Sequence, residues 1–476
     1  MYAHLTQILY VKYIIFHIIN KKCVEMRINM KKIGIVVCNY NKREFVIPCL
    51  ESIFKSETDD FDVCVVDNAS TDDSAEYIQK EFGDRVHLIV NEKNLGGSGG
   101  FNTGLRYMLE KDYEYLMCVD NDVLMNEKTI SSLLKFMEKN IEVGMTGSKI
   151  CVMDEPERIQ TYGATIDFET YGIHDLHRGC LDDDTLPKVQ YCDYVPACSL
   201  MVRTEAVRKV GIMPEDNFIY WDDMEWGYRF GLAGYKVAAI SASSILHKGG
   251  KAVNPTTFQK YYMFRNRLNF FMKYVSHDRR EHFVTAMLKE LYRSVCACHL
   301  KKDDNMLRTF MYAYDDALHG VRGVAKDCKI LPRQTVNRFD EVLTKDSKTA
   351  IVFDGNFQGL STLKFKLLKM IDSTQITVVN NSDVPTGKLK EQYIDINVVD
   401  TLEQAEYDVL FQLCPHIFQT GDVLPGAISV DQWLNLLITD EDYVYGKNFE
   451  TNQQLFILLN KDVWLECIRQ RAEIQD

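Results

Sequence analysis

Residues 33–38 read IGIVVC, a continuous apolar run dominated by β-branched side chains. A run without polar alternation fits a strand buried on both faces of a parallel sheet. Asn39-Tyr40-Asn41 ends it, and residues 44–55 then carry Val46, Leu50 and Phe54 at helical spacing. Residues 61–66 repeat the strand pattern and lead into Asp67-Asn68-Ala69-Ser70-Thr71-Asp72. Residues 74–82 read as a helix and 86–90 as a third strand. Strand and helix alternating in this way predict an α/β unit with a doubly wound, mostly parallel sheet. Ligands of such sheets bind outside the carboxyl ends of the strands, where Asn39, Asp67 and Asn91 fall.

Further along, NLGGSGG at residues 94–100 opens a helix predicted over 101–110. Glycines let backbone N–H groups approach a phosphate, and a helix N-terminus favours an anion. The run has no GKS or GKT, so it is not a P-loop, and its place after the third strand does not fit the dinucleotide fingerprint. A flexible turn is the plainer reading. Residues 115–119 form a fourth strand, closed by Asp120-Asn121-Asp122. Alternate acids at a strand end can both face one cation, and hard carboxylate oxygens suit Mg2+ or Mn2+. An Asx turn before a helix over 127–139 is the alternative.

Residues 144–152 read as a strand, 161–184 as a polar loop over the site, and 204–210 as a helix. His174 and His177, in that loop, read as surface residues. Residues 218–229 are FIYWDDMEWGYR. Asp222 and Asp223 stand side by side in this aromatic stretch, with Glu225 two residues on. Adjacent carboxylates repel when both are ionised, and burial sharpens the repulsion. Such a pair either binds cations and backbone N–H groups or works as a base. Alternatively, one of them caps a helix over 224–232. Residues 235–240 form a strand that leads to Ile245-Leu246-His247-Lys248-Gly249-Gly250, where His247 is either a metal ligand or a surface imidazole.

The length of 476 residues and 46% hydrophobic content support two or three domains. The net charge of −13 excludes a general nucleic-acid binder, because a phosphate backbone needs a basic footprint. It leaves room for a nucleotide whose phosphates a metal neutralises. The 14 cysteines contain no CxxC pair and read as reduced, cytosolic thiols. Cys296-Ala297-Cys298-His299 has no second ligand pair and does not read as a zinc site.

Motifs in fixed order carry a resemblance: NYN at 39–41, VVDNAST at 65–71, NLGGSGGFN at 94–102, DND at 120–122, WDD at 221–223 and LHKGG at 246–250. Over residues 31–274 the chain resembles family 2 glycosyltransferases of the GT-A fold. NLGGSGGF, FIYWDD-x-E-x-G and YYMFRNR at 261–267 are most similar to the galactofuranosyltransferase branch, and rhamnosyltransferases share a similar frame. The resemblance implies an inverting, Mn2+- or Mg2+-dependent transfer from a nucleotide-sugar donor. The acceptor would be a glycan or lipid-linked glycan in cell-surface polysaccharide synthesis, with UDP-galactofuranose favoured and dTDP-rhamnose the alternative.

The implied donor pocket comprises Asn39, Tyr40, Asp67, Asn68, Asn94, Gly96, Gly97, Asn102, Asp120 and Asn121, with Asp67 at the base. Asp120, Asp122 and His247 would hold the metal. Asp223 would be the general base. Trp221, Asp222 and Glu225 would face the acceptor, and Arg229 would support the site. The chain departs from the pattern at Pro196-Ala197, where bacterial galactofuranosyl polymerases carry a tryptophan pair, and at Met263, where a histidine is often found.

Residues 1–29 are expected to lie outside the fold, with Met30 as the native start; a surface-lying amphipathic segment is the alternative. Residues 5–19 are apolar but interrupted by Lys12 and His17, and shorter than the ~20 residues that span a bilayer. The glycosyltransferase domain is expected over 30–255. Residues 256–335 read as helical, with interleaved basic and aromatic side chains that suit either an anionic lipid surface or ordinary packing. Residues 346–476 read as a smaller α/β accessory domain. The expected setting is cytoplasmic, with peripheral contact at the inner face of the plasma membrane and a homo-oligomer both left open. The competing class is a non-catalytic module that binds a nucleotide sugar or a glycan. Intact Asp120, Asp122, Asp223 and His247 weigh against it.

Overall fold

The computed structural model describes residues 31–183, 185–249, 256–334 and 336–475. The expectation for residues 1–29 and the last glycine of the LHKGG motif lie outside these described residues. The chain forms two compact units. Among described residues, the first holds 31–249 with 321–325 and the second holds 256–320 with 326–475.

The first unit opens as the apolar pattern predicts. Strand β1 (Ile33–Asn39) is followed by α1 (Arg43–Phe54), β2 (Phe61–Asp67), α2 (Ser74–Phe82), β3 (Val86–Val90), α3 (Gly96–Leu109) and β4 (Tyr115–Asp120). Then come β5 (Val123–Met125), α4 (Thr129–Lys139), β6 (Val143–Val152), β7 (Glu155–Thr161), β8 (Ala164–Asp167) and β9 (Gly172–Asp175). The unit continues with β10 (Val189–Cys192), β11 (Ser199–Arg203), α5 (Thr204–Val210), α6 (Asp222–Leu232) and β12 (Lys236–His247).

The main sheet runs β10-β12-β6-β11-β4-β1-β2-β3, with β5 on β12 and β7 on β6. Strands β3, β2, β1 and β4 pair in parallel, whereas β11 lies antiparallel to both β4 and β6. The result is an α/β unit with a mostly parallel, mixed sheet. Successive residues of a strand point to opposite faces. Ile35 and Val37 therefore join the core under α1, α2 and α4, while Val36 joins the core under α3, α5 and α6. Helices on both faces explain why the central strands β1 and β4 are apolar up to their carboxyl ends.

Two expectations need correction. The glycine-rich run is not a turn ahead of a helix that begins at 101; α3 starts at Gly96, so the glycines form its first two turns. Glycine disfavours a helix by about 1 kcal/mol relative to alanine, and here close packing offsets the loss. A Cβ on Gly104 would stand 2.3 Å from Val36 Cγ1, so only a glycine lets α3 lie this close to β1. Gly96 has φ +76°, and a Cβ there would stand 2.0 Å from the carbonyl oxygen of Phe218. The second correction concerns 161–184, expected as a loop. It contains the hairpin β8–β9, with Ile166 opposite Ile173. Only two short alternating segments betray it in the sequence, and polar residues surround both.

The second unit begins with α7 (Thr257–Tyr274), α8 (Arg280–Leu300) and α9 (Asp304–Leu318). The helical pattern predicted over 256–335 is interrupted after Tyr274, where Val275 turns to an extended conformation. A sheet follows, built from β13 (Thr349–Phe353), α10 (Phe357–Leu367), β14 (Ile376–Asn380), α11 (Thr386–Gln392), β15 (Asn397–Val399), β16 (Val409–Leu413), β17 (Ile428–Val430) and β18 (Leu436–Leu437). Its order is β15-β14-β13-β16-β17-β18, parallel except for β18. Cys296 and Cys298 are buried in α8, and Cys296 Sγ meets the Tyr445 hydroxyl at 2.9 Å. Among the described residues, no helix is long and apolar enough to cross a membrane.

Gly96→Ala should lower the melting temperature by several degrees, because a left-handed φ and a backbone clash together cost on the order of 2–3 kcal/mol. Gly231→Ala, at an exposed site with nothing within 4 Å of the new Cβ, should be neutral or stabilise by about 0.4–1 kcal/mol. Equal melting temperatures for the two variants would refute the close-approach role of Gly96.

Candidate active site

The carboxyl ends of β1, β2 and β4 form one polar edge. Register places Asn39 beside Asp67 and Cys38 beside Asp120. Asn39 Nδ2 donates to Asp67 Oδ2 at 2.9 Å, and Asn121 Nδ2 donates to Asn39 Oδ1 at 2.8 Å. Asp67 also accepts from the Ser70 N–H at 2.8 Å. These bonds tie three of the motifs into one network. Tyr40, next along, is 43% exposed at its rim.

Asn68 is spent inside the protein. Its Nδ2 donates to Asn94 Oδ1 and Gly96 O, and its Oδ1 accepts from Asn91 Nδ2 and the Leu95 N–H, all at 2.9–3.0 Å. An amide has two donor hydrogens and one twofold acceptor, so every position is filled. Asn68 and Asn94 thus hold the entry to α3. Asn102 is wholly buried and pairs with the backbone of Met213, donating at 2.9 Å and accepting at 3.1 Å. These two asparagines position the site through the backbone. Gly97 does face the acidic centre, since a Cβ there would stand 3.8 Å from Asp222 Oδ2.

A second corner gathers Asp120, Asp122 and His247. Strand β12 brings His247 there by pairing it with Val123 of β5 and Val152 of β6. His247 Nε2 lies 3.2 Å from Asp122 Oδ1 and 3.9 Å from Asp120 Oδ2. Its other nitrogen, Nδ1, lies 3.2 Å from Gln160 Oε1, while Gln160 Nε2 donates to the Gly249 carbonyl at 2.8 Å. That carbonyl fixes which end of the amide faces the ring, so Nδ1 carries the hydrogen. Nε2 is left to face the carboxylates, the arrangement that orients metal-binding histidines. Burial raises Asp120 above the ordinary carboxylate range, and the charges of Asp122 and Asp223 add to it. Asp122 is also penalised by burial, but its bond to His247 outweighs that and holds it low. Burial disfavours the charged imidazole, yet the two carboxylates leave His247 raised.

The acid pair occupies the first turn of α6. The N-cap is Trp221, in a left-handed conformation with φ 65°, and neither aspartate caps the helix from outside. Phe218 and Tyr220 are also left-handed, at φ 68° and 64°. Non-glycine residues in this region cost on the order of 1–3 kcal/mol each and persist only where the surroundings enforce them. Here Asn102 grips Met213, Trp226 Nε1 donates to Gly211 O at 2.8 Å, and Arg229 donates to the carbonyls of Val210 and Ile212. Arg229 thereby ties α6 to the backbone of residues 210–212. Trp221 and Glu225 are buried beside the pair.

The two carboxyls differ. Asp223 Oδ1 accepts from the Met224 N–H at 2.8 Å and Oδ2 from the Ala197 N–H at 3.2 Å. Burial raises both groups and backbone N–H bonds restrain both; the charge of Asp223 pushes Asp222 further up, while Asp223 has the additional N–H of Ala197. Asp223 therefore ionises first and Asp222 keeps its proton longer.

Three residues that sequence reasoning did not place in the site enter it here: Gln160, Ala197 through its backbone, and Cys198. Cys198 Sγ, an Asp120 oxygen and a His247 nitrogen lie within 4.8 Å of one another. Burial, then Asp120, Asp122 and Asp223, push the Cys198 thiol well above its ordinary value. His174 and His177 do not join this corner; His174 is exposed and His177 Nε2 meets Gln190 Oε1 at 3.0 Å.

Residues 34–201 match the family model Glycosyl transferase family 2. The chain is 26% identical over 203 residues to Galactofuranosyltransferase GlfT2 of Mycolicibacterium smegmatis, covering 39% of this chain and 31% of that protein. It is 21% identical over 254 residues to Low-salt glycan biosynthesis hexosyltransferase Agl10 of Haloferax volcanii, covering 52% of this chain and 77% of that one. Mannosyltransferase PcManGT from Pyrobaculum calidifontis, solved with GDP-Man and Mn2+, overlays at a TM-score of 0.37 and 16% identity, covering 51% of this chain and 64% of its own. The chain spans about a third of the length of the galactofuranosyltransferases it matches. Residues 34–201 of this chain form a domain of glycosyl transferase family 2.

Proposed function

We propose that this chain is an inverting, cation-dependent glycosyltransferase acting in cell-surface polysaccharide synthesis. It takes its sugar from a nucleotide-sugar donor, with UDP-galactofuranose the first candidate, and passes it to a glycan or lipid-linked glycan. The observation that carries the reading is the division of the acidic cluster. Asp120 and Asp122 sit with His247 at one corner, and the unequal pair Asp222 and Asp223 faces Gly97. The similarity to two mycobacterial galactofuranosyltransferases, at 26% and 24% identity, supports the choice of sugar.

The donor set of the cation corner, two carboxylates and an imidazole oriented by Gln160, suits Mn2+ or Mg2+. A cation bound there supplies Lewis-acid neutralisation of the donor diphosphate. The chain's own residues do the rest. Asn39 and Asp67 lock the strand ends against which the nucleotide lies. Asp223, ionised and held by two backbone N–H groups, takes the proton of the acceptor hydroxyl. As that proton leaves, the acceptor oxygen bonds to the anomeric carbon. The bond from that carbon to the diphosphate breaks, and its electron pair departs with the nucleoside diphosphate. Attack from the opposite face makes this a single displacement, so the configuration inverts. Asp222, still protonated, can hydrogen-bond to the acceptor without adding a second negative charge beside the base.

Asp223→Asn should lower kcat by about 10²–10⁴ and leave the affinity for nucleotide within a few-fold of wild type. Steady-state kinetics with parallel calorimetry check this, and equal losses of binding and rate would count against Asp223 as the base.

Asp222 carries a linkage signature. Its folded-state pKa lies above the unfolded value, so the folded protein binds more protons and stability falls as pH rises through that interval. In chelator-treated protein, Asp222→Asn should therefore melt higher than wild type at pH 7–9, with the gap closing toward about pH 4. A gap that widened on acidification would contradict the proton assignment.

Calorimetric titration of UDP, dTDP and GDP with and without Mn2+ tests the donor. The expected result is Mn2+-dependent preference for UDP. Preference for dTDP would move the reading to a rhamnosyltransferase, and absence of binding by all three would overturn the donor site.

A further inference from the structure

We propose that Cys198 is a ligand of the cation corner, so that Asp120, Cys198 and His247 together bind thiophilic divalent cations such as Zn2+ or Co2+. This rests on the reading of Asp120 and His247 as cation ligands. One carboxylate oxygen, the sulfur and one ring nitrogen of these residues lie within 4.8 Å of one another. Among the described residues they are the one such group of acid, thiol and imidazole donors. A tetrahedral ion with bonds of about 2.0–2.3 Å needs donors about 3.5 Å apart, so the set has to close by about 1 Å.

The backbone fixes where the sulfur sits. The Asp120 N–H donates to the Cys198 carbonyl at 3.2 Å, and β11 begins at the next residue by pairing Ser199 with Val119. The thiol is therefore anchored to the strand beside the one that carries Asp120. Immediately before it, the Ala197 N–H holds Asp223. The short segment Pro196-Ala197-Cys198 thus serves the base through its backbone and the cation corner through a side chain.

Two overlapping ligand sets result. Asp120, Asp122 and His247 offer only oxygen and nitrogen, which suits Mn2+ or Mg2+; exchanging Asp122 for the sulfur of Cys198 suits softer ions. Asp120 and His247 belong to both sets, so a thiophilic ion and Mn2+ exclude one another. On uptake of the softer ion the S–H bond breaks, an S–metal bond forms and the proton passes to the buffer. No group is oxidised or reduced.

The test is spectroscopic. The full chain, freed of metal by a chelator and kept under a non-thiol reductant, is titrated with Co2+. The expected spectrum has the visible bands of tetrahedral Co2+ together with a near-ultraviolet sulfur-to-cobalt charge-transfer band. In Cys198→Ser and Cys198→Ala, folded by circular dichroism, the charge-transfer band should vanish and Co2+ affinity should fall at least about tenfold. Mn2+ should displace Co2+ from wild type. Visible bands without charge transfer in wild type, or a charge-transfer band that persists in both variants, would overturn the role of Cys198 and leave the cation corner standing. Absence of Co2+ uptake by wild type would overturn the cation corner itself. The wild-type spectrum decides even where neither variant folds.

Discussion

Two neighbouring carboxyls, Asp222 buried and Asp223 half-buried, stand together at the start of one helix, and much of the first unit is arranged so that they can. Left alone, Asp222 and Asp223 would both be pushed toward neutrality by burial and by each other. Both accept backbone N–H groups, but Asp222 also bears the charge of Asp223, and Asp223 gains the further N–H of Ala197. Of the N–H groups on Asp223, one comes from its own helix and another from Ala197, in the segment that enters β11. A symmetric pair would share its proton; this one is biased, and Asp223 ionises without a second charge beside it.

The cost of that arrangement is spread through the surrounding backbone. Phe218, Tyr220 and Trp221 all take left-handed conformations ahead of α6. They stay there because α3 and α6 clamp the chain on both sides. Asn102 holds Met213, Arg229 holds the carbonyls of Val210 and Ile212, and Gly96 leaves room for the carbonyl of Phe218. The glycine-rich run therefore acts first as a packing device. Its small residues let α3 approach β1 and the strained segment, which brings Gly97 opposite Asp222.

The antiparallel strand β11 joins the two acidic corners. It lies between β4 and β6, and the segment that enters it passes Asp223 and the corner of Asp120 and His247 in successive residues. Below, the hydroxyls of Ser199, Ser148 and Ser243 form a buried chain at 2.7 Å spacing that ties β11, β6 and β12 together. Strand β12 then delivers His247 from the far side of the sheet to within reach of Asp120 and Asp122. Rigid strands thus set the separation of the groups, while the loops set their orientation.

Much of this was legible in the sequence. The apolar runs of β1, β2 and β4, the helices between them and the acids at their ends follow from periodicity and from side-chain chemistry, both of which are local. What was illegible has one physical character: it depends on which residues meet across the sheet. Nothing in Gln160 marks it as the group that orients His247, because the pairing needs the return of β12 and the Gly249 carbonyl. Asn68 and Asn102 carry the same amide as a ligand-binding asparagine, and only the fold turns both inward onto partners within the protein. By itself the sequence determined the order of strands and helices, the kinds of charged group present and their places at element ends. Strand order and register decided which carboxylate keeps a proton, which nitrogen of His247 faces the acids and which thiol stands beside them. Those outcomes depend on distances of a few ångströms between residues far apart in the chain, and spacing along the sequence does not encode such distances.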